Sequence, residues 1–272
     1  MGILFITFLL GLCDDLVHIK PIVKLLGQAI AGSLVFFLLD IKLDSTYWLF
    51  PDFRFPPLLS YFATLFTIII ITNAYNLIDG IDGLAGAFAA GCLTFFGTWF
   101  YLSGDTNFAL ICFALLGAVA AFLVFNWEPS KIFMGDTGAL LIGMMLSILT
   151  IHFIQANDAL PETSFVKFEA NISTALSIII IPVVDTTRII IIRLARGISP
   201  LSADKRHIHH CLIRLGLQHS QSVLLLMAVY SLFILIAVLF RNCGDEYVFP
   251  IITILAVLLS LILDFFMLKK IN

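Results

Sequence analysis

The sequence predicts an all-α fold, a polytopic transmembrane helix bundle. Three observations carry that expectation. Of 272 residues, 61% are hydrophobic and only 12% charged, where soluble domains hold about a quarter charged residues. Mean hydropathy is +1.08. Apolar runs of about 20 residues, long enough to cross a bilayer core, recur along the whole chain. In hydrocarbon each backbone N–H and C=O must find its partner within the protein, so such runs are expected as helices. The net charge of −3 adds little, and no nucleic-acid partner is expected.

Eight full spans are expected, at 22–39, 58–75, 84–103, 108–125, 138–154, 171–192, 221–241 and 248–268. A partial one precedes them. Gly2–Cys13 is apolar, but about 12 residues of helix rise only about 18 Å of the ~30 Å needed. No basic residue precedes it, so it makes a poor signal peptide. It reads as the tail of a longer helix, and residues 1–272 as one integral membrane domain starting inside a longer protein. Cys13, Cys92, Cys112, Cys211 and Cys243 form no motif and read as small buried hydrophobes or free thiols.

Basic residues orient the bundle. Alternating loops place Lys20, Lys24, Lys131, Arg188, Arg193, Arg196, Lys205, Arg206, Arg214, Lys269 and Lys270 on one side. Lys42, Arg54, Lys167 and Arg241 fall on the other. Basic residues favour the inside, so the first side is expected to be cytoplasmic, in a cell (plasma or inner) membrane. The polar clusters at 14–15, 73–82, 136 and 207–210 all fall on that side.

Four stretches carry the chemistry. In GLCDDLVHIKPIVKLLGQ the adjacent acids Asp14 and Asp15 read either as a solvated helix end or as a pair needing a cation to offset their repulsion. Lys24 and Gln28, four apart, share a helix face, and a lysine just inside a span can reach lipid headgroups or hold a phosphate. In NAYNLIDGIDGLAG, Asn73, Asn76, Asp79 and Asp82 recur every third residue. Glycines at 80, 83 and 86 would loosen the helix and let those oxygens converge, a ligand type that Mg²⁺ prefers beside substrate phosphates. In FMGDTG, Asp136 stands between glycines where a span begins. It could be a metal ligand or the N-cap of the helix starting near Thr137. In PVVDTTRIIIIRLARGISPLSADKRHIHHCLIRLG, His207, His209 and His210 follow Arg193, Arg196, Lys205 and Arg206. Cationic neighbours and the lack of a nearby Cys or acid at ligand spacing favour an anion-binding loop over zinc. Arg188 and Arg193 end an apolar run and need partners, which a diphosphate would supply. Metal-type oxygens, a basic loop and a snorkelling lysine on one face suit phosphoryl transfer.

These motifs resemble the polyprenyl-phosphate N-acetylhexosamine-1-phosphate transferases. The matching elements are Asp14-Asp15, Asn73-Ala-Tyr-Asn76-Leu-Ile-Asp79-Gly-Ile-Asp82-Gly-Leu, Asn126 with Phe133-Met-Gly-Asp136-Thr-Gly, and Ser199-Pro with Asp204-Lys-Arg-His207-Ile-His-His210, in the family's order. The resemblance implies an integral membrane enzyme that moves a sugar-1-phosphate from a UDP-sugar to a lipid phosphate and releases UMP. His-Ile-His-His resembles the branch that starts O-antigen, common-antigen or teichoic acid linkage units. That implies UDP-GlcNAc as donor and undecaprenyl phosphate as acceptor. The peptidoglycan branch, with UDP-MurNAc-pentapeptide, typically has three consecutive histidines.

Carried over by resemblance, Asp136 is the principal ligand of Mg²⁺ (Mn²⁺ as alternative) and Asn76 a second. Phe133 stacks on uracil. Asp14 and Asp15 lie near the acceptor phosphate, one as its general base. Asp79 and Asp82 belong to the nucleotide side and frame of the site. Lys24, Arg193, His207, His209 and His210 bind substrate. Two further helices stand ahead of the Asp-Asp pair in the family, and nothing here corresponds to them. An ion-coupled transporter and an inactive fragment are the competing classes. Transporters of that kind often show internal repeats, absent here, and tend to carry mid-span acids.

Overall fold

The computed structural model describes residues 2–47, 53–197, 199 and 207–271. Eleven helices occur among them: α1 Gly2–Val17, α2 Pro21–Leu39, α3 Pro57–Ile78, α4 Leu84–Ser103, α5 Thr106–Asn126, α6 Gly135–Asp158, α7 Asn171–Ile178, α8 Ile180–Ala195, α9 Ile208–Leu215, α10 His219–Leu239 and α11 Asp245–Ile271. No strand occurs among the described residues; a single antiparallel bridge, Ser45 with Arg54, closes the long α2–α3 connection. Seven helices are long and apolar enough to span a bilayer. The chain is a multi-pass membrane protein.

The sixth expected span is bent. Residues 171–192 were expected as one straight helix, but α7 and α8 meet at 82°. Pro182 lies in the first turn of α8, where its missing N–H costs nothing. Were the helix continuous, its ring would press on the Ile178 carbonyl one turn back. That carbonyl instead accepts the Cys92 thiol at 3.2 Å. The partial N-terminal segment also differs in extent, since α1 carries on through Asp14 and Asp15 to Val17.

Helix α6 is the axis of the bundle, with 72% of its span window buried, against 17% for α5 and for α11. Helices α1 and α3 pack on α6, and α4 pairs with α5 across the short Gly104 turn. The crossing of α1 on α6 depends on Gly11, where a Cβ would stand 2.5 Å from the Thr137 Cα. Pro21 and Pro57 open α2 and α3 at a position where no N–H is needed.

Several helices borrow their N-terminal caps from elsewhere in the chain. Asp15 of α1 serves α6, Asp185 of α8 serves α9, Glu128 of the α5–α6 loop serves α10, and Asp245 of α11 serves α7. First-turn N–H groups have no partner within their own helix, and a carboxylate answers both the N–H and the helix dipole. These long-range caps fix how the helices sit against one another. The two that matter most, at α6 and α9, adjoin the polar cavity.

Candidate active site

The helices run past the expected span limits and carry the motif residues with them. Asn73 and Asn76 occupy the last turns of α3, and Asp79 is its C-cap. Asp136 lies in the first turn of α6. Lys24 sits in the first turn of α2, and its ammonium lies 2.8 Å from Asp14 Oδ2, 2.5 Å from Asp136 Oδ1 and 3.3 Å from Asn76 Oδ1. Asn76 Nδ2 donates to Asp136 Oδ1 at 2.7 Å. Three motifs far apart in sequence therefore meet at one nitrogen.

The shared face of Lys24 and Gln28 is borne out. Gln28, fully buried, exchanges hydrogen bonds with the Asn73 amide, receiving one at 2.6 Å and donating one at 3.3 Å. This amide pair locks α2 to α3 one turn below Lys24.

Asp136 is not the N-cap. Asp15 takes that role from α1: its Oδ1 accepts the Asp136 N–H at 2.8 Å and its Oδ2 the Thr137 N–H at 2.9 Å and hydroxyl at 2.5 Å. Burial works against ionised Asp15, but the Thr137 and Asp136 bonds and the Lys24 charge outweigh it and hold the carboxyl below its usual range. Asp14 is oriented differently. Its Oδ1 accepts the Ile19 N–H at 3.0 Å, which leaves Oδ2 to Lys24.

A cavity of about 620 Å³ opens beside Lys24. Asp14, Lys24, Asn73, Asn76 and Asp79 line it together with Arg193, His207, His209 and His210. Its flank is aliphatic: Leu25, Ile69, Ile70, Ile189 and Ile190. Burial, then the charges of Asp136 and Asp15, push Asp79 up to about 6. Burial, then neighbouring His210, push His209 down to about 3. His209 is thus a neutral packing group near neutral pH; it rests on Gly80, where a Cβ would overlap its ring. Among the described residues no three His, Cys, Asp or Glu side chains group as metal ligands. Asp14, Asp136 and Asn76 oxygens around one cationic nitrogen remain a suitable donor set for a hard cation that takes its other ligands from substrate phosphates.

Other expectations fare differently. The four residues of the Asn-Asp repeat do not converge on one point. Asp82 turns to Ser130, whose hydroxyl and N–H reach it at 2.9 and 3.2 Å, and to His219 Nδ1 at 3.4 Å. Although burial opposes it, this set of bonds holds Asp82 below the usual carboxylate range. Phe133 is 78% exposed on the loop before α6, outside the cavity wall. Arg188 needs no diphosphate: Asp185 lies 3.6 Å from it, and Asp264 of α11 pairs with it directly. Asp204, Lys205 and Arg206 lie outside the described residues. The histidine run is the start of a short helix, with His207 as the N-cap of α9.

Sequence reasoning missed Asp185. It is 1% exposed, lies 2.8 Å from His207 Nδ1 and accepts from the Ile208 N–H at 3.0 Å. The signal was present, since an acid inside an apolar run demands a partner.

Residues 1–154 match the profile of glycosyl transferase family 4. An undecaprenyl-phosphate alpha-N-acetylglucosaminyl 1-phosphate transferase of Escherichia coli O157:H7 is 31% identical over 258 residues, 92% of this chain and 68% of that protein. A probable undecaprenyl-phosphate N-acetylglucosaminyl 1-phosphate transferase of Bacillus subtilis (strain 168) is 32% identical over 264 residues, 96% of this chain and 70% of that protein. The chain belongs to glycosyl transferase family 4, as a membrane-embedded sugar-phosphate transferase.

Proposed function

We propose that this chain transfers N-acetylglucosamine-1-phosphate from UDP-GlcNAc to undecaprenyl phosphate, with Mg²⁺ or Mn²⁺, at the cytoplasmic face, starting a lipid-linked envelope glycan. The observation that carries the reading is the cavity's composition. One compartment joins acids, a lysine, an arginine, histidines and aliphatic side chains, which suits a diphosphate, its counter-charges and a prenyl chain together.

In this reaction an oxygen of the lipid phosphate attacks the sugar-bearing phosphorus, and the bond to the bridging oxygen breaks as UMP leaves. Asp136 and Asn76 would hold the metal, which supplies neutralisation of diphosphate charge when bound. Asp14 is aligned by the Ile19 N–H and faces the cavity, so it can take the acceptor's proton or orient its phosphate. Lys24 links that acid to Asp136 and can follow phosphate charge. Arg193 and His207 line the same cavity and can serve the diphosphate as hydrogen-bond donors. The cytoplasmic placement rests on the excess of basic residues on the loops of that face.

The test uses the purified full chain in nanodiscs with undecaprenyl phosphate and a panel of radiolabelled UDP-sugars. Labelled lipid and UMP should form from UDP-GlcNAc, and EDTA should abolish them until Mg²⁺ or Mn²⁺ returns. Turnover confined to UDP-MurNAc-pentapeptide would move the chain to the peptidoglycan branch. Turnover unaffected by EDTA would remove the metal.

A further inference from the structure

We propose that Asp185 is a positioning residue, which fixes His207 in the Nδ1–H tautomer and so presents Nε2 to the cavity. The inference rests on the donor-site reading above for its kinetic consequence, though not for its structural content.

Asp185 lies on α8 and His207 at the start of α9, 22 residues apart, and both are buried, at 1% and 4% exposed. Among the described residues, two nitrogens meet this one carboxyl within hydrogen-bond distance. The Ile208 N–H, which has no partner within α9, is 3.0 Å from Oδ1. His207 Nδ1 is 2.8 Å from Oδ2. The guanidinium of Arg188 stands 3.6 Å from Oδ1. A carboxyl paired with a guanidinium is a carboxylate, and a carboxylate only accepts. Nδ1 must therefore carry a proton. The hydrogen bond at one ring nitrogen decides what the other can do, so Nε2 is left to serve the cavity that His207 lines. There it accepts when the ring is neutral and donates when the ring is charged. The anchor itself is held, because Arg188 also pairs with Asp264 of α11. The last helix of the bundle thus braces the histidine.

The substitution Asp185→Asn discriminates by its chemistry. Asn keeps the shape but offers one acceptor where two donors call for two. If its oxygen keeps the Ile208 N–H, its amide NH₂ faces His207 Nδ1 and requires the Nε2–H tautomer. The partner substitution His207→Gln places an amide near the former Nε2 and removes the group on which Asp185 acts.

The experiment has two readouts on the full chain. The first is the ¹⁵N spectrum of histidine-labelled protein, with His207 assigned by substitution. The wild type should show Nδ1–H, and Asp185→Asn should reverse it. An Nε2–H tautomer in the wild type would overturn the proposal even if the variant does not fold. The second is a double-mutant cycle on kcat/KM for the nucleotide sugar. Asp185→Asn should cost about ten- to a hundredfold, by analogy with the carboxylate partners of metal-ligating histidines, and nearly nothing once His207 is Gln. Equal losses in both backgrounds would leave Asp185 as only a cap of α9 and overturn the proposal. A wild type inactive with every donor would instead sink the proposed function, and the tautomer would then decide this inference alone.

Discussion

At the scale of single residues, two carboxylates in the same site meet different fates, and each difference is testable. Asp136 has no capping duty, since Asp15 performs it, so its oxygens serve Lys24 and Asn76 and stand open to the proposed metal ion. Asp136→Asn keeps the shape and removes the charge. It should lower kcat by at least about two orders of magnitude. Near wild-type turnover in saturating Mg²⁺ would end its assignment as ligand. Asp79 behaves oppositely, because burial and two neighbouring acids raise it to about 6. Its unfolded value is about 3.9, so the folded state binds more protons between about pH 4 and 6. Stability must then fall as pH rises through that window. Asp79→Asn does not titrate there. Its melting temperature relative to wild type should climb from pH 4 to 6 and level off above. A difference constant across that range would refute the buried-acid account.

At the scale of elements, the site depends on helix ends held from a distance. Asp15 caps α6 only because α1 approaches closely at Gly11. Asp15→Ala should cost roughly 1 kcal/mol of stability, the usual worth of an N-cap, read as a lower melting temperature in detergent. Gly11→Ala should do more. Its methyl group would stand 2.5 Å from backbone rather than from a side chain that could move, so the crossing itself must shift. We expect at least a tenfold loss of turnover, as when a small misplacement far from the chemistry displaces reacting groups. An active Gly11→Ala enzyme would mean that α1 can slide without harm. The bend at Ile179 belongs to this scale as well. It turns α8 so that Arg193 and the His207 anchor Asp185 approach the α2–α3 pair, which a straight span over 171–192 would not have required.

At the scale of the whole molecule, the polar ends of α1, α2, α3, α6 and α8 gather at one end of the bundle. Trp99, Phe100 and Phe153 pack together elsewhere in the core, next to the stacked pair of Phe108 and His152. The proposed orientation can be checked with single cysteines at Lys131 and Glu162, both exposed, in a background without the native five. In intact cells an impermeant thiol reagent should label the Glu162→Cys variant and spare Lys131→Cys. Inverted vesicles should reverse the pattern. The opposite result would turn the protein over in the membrane.

By itself the sequence determined the solvent, the helical class, most span positions and the identities of the polar groups. Each of these follows from local chemistry: runs of apolar side chains, the demand that backbone groups pair, and the cost of charge in lipid. It also kept Lys24 and Gln28 on one face, because helical spacing is local geometry. Only the tertiary structure decided which acid does what. Nothing local distinguishes Asp14 from Asp15, or Asp79 from Asp82. One of each pair lines the cavity, while the other is engaged by donors more than forty residues away. Asp185 was hidden for the same reason. Its meaning lies in a histidine 22 positions on, and only the bent span and the start of α9 bring the two within one hydrogen bond.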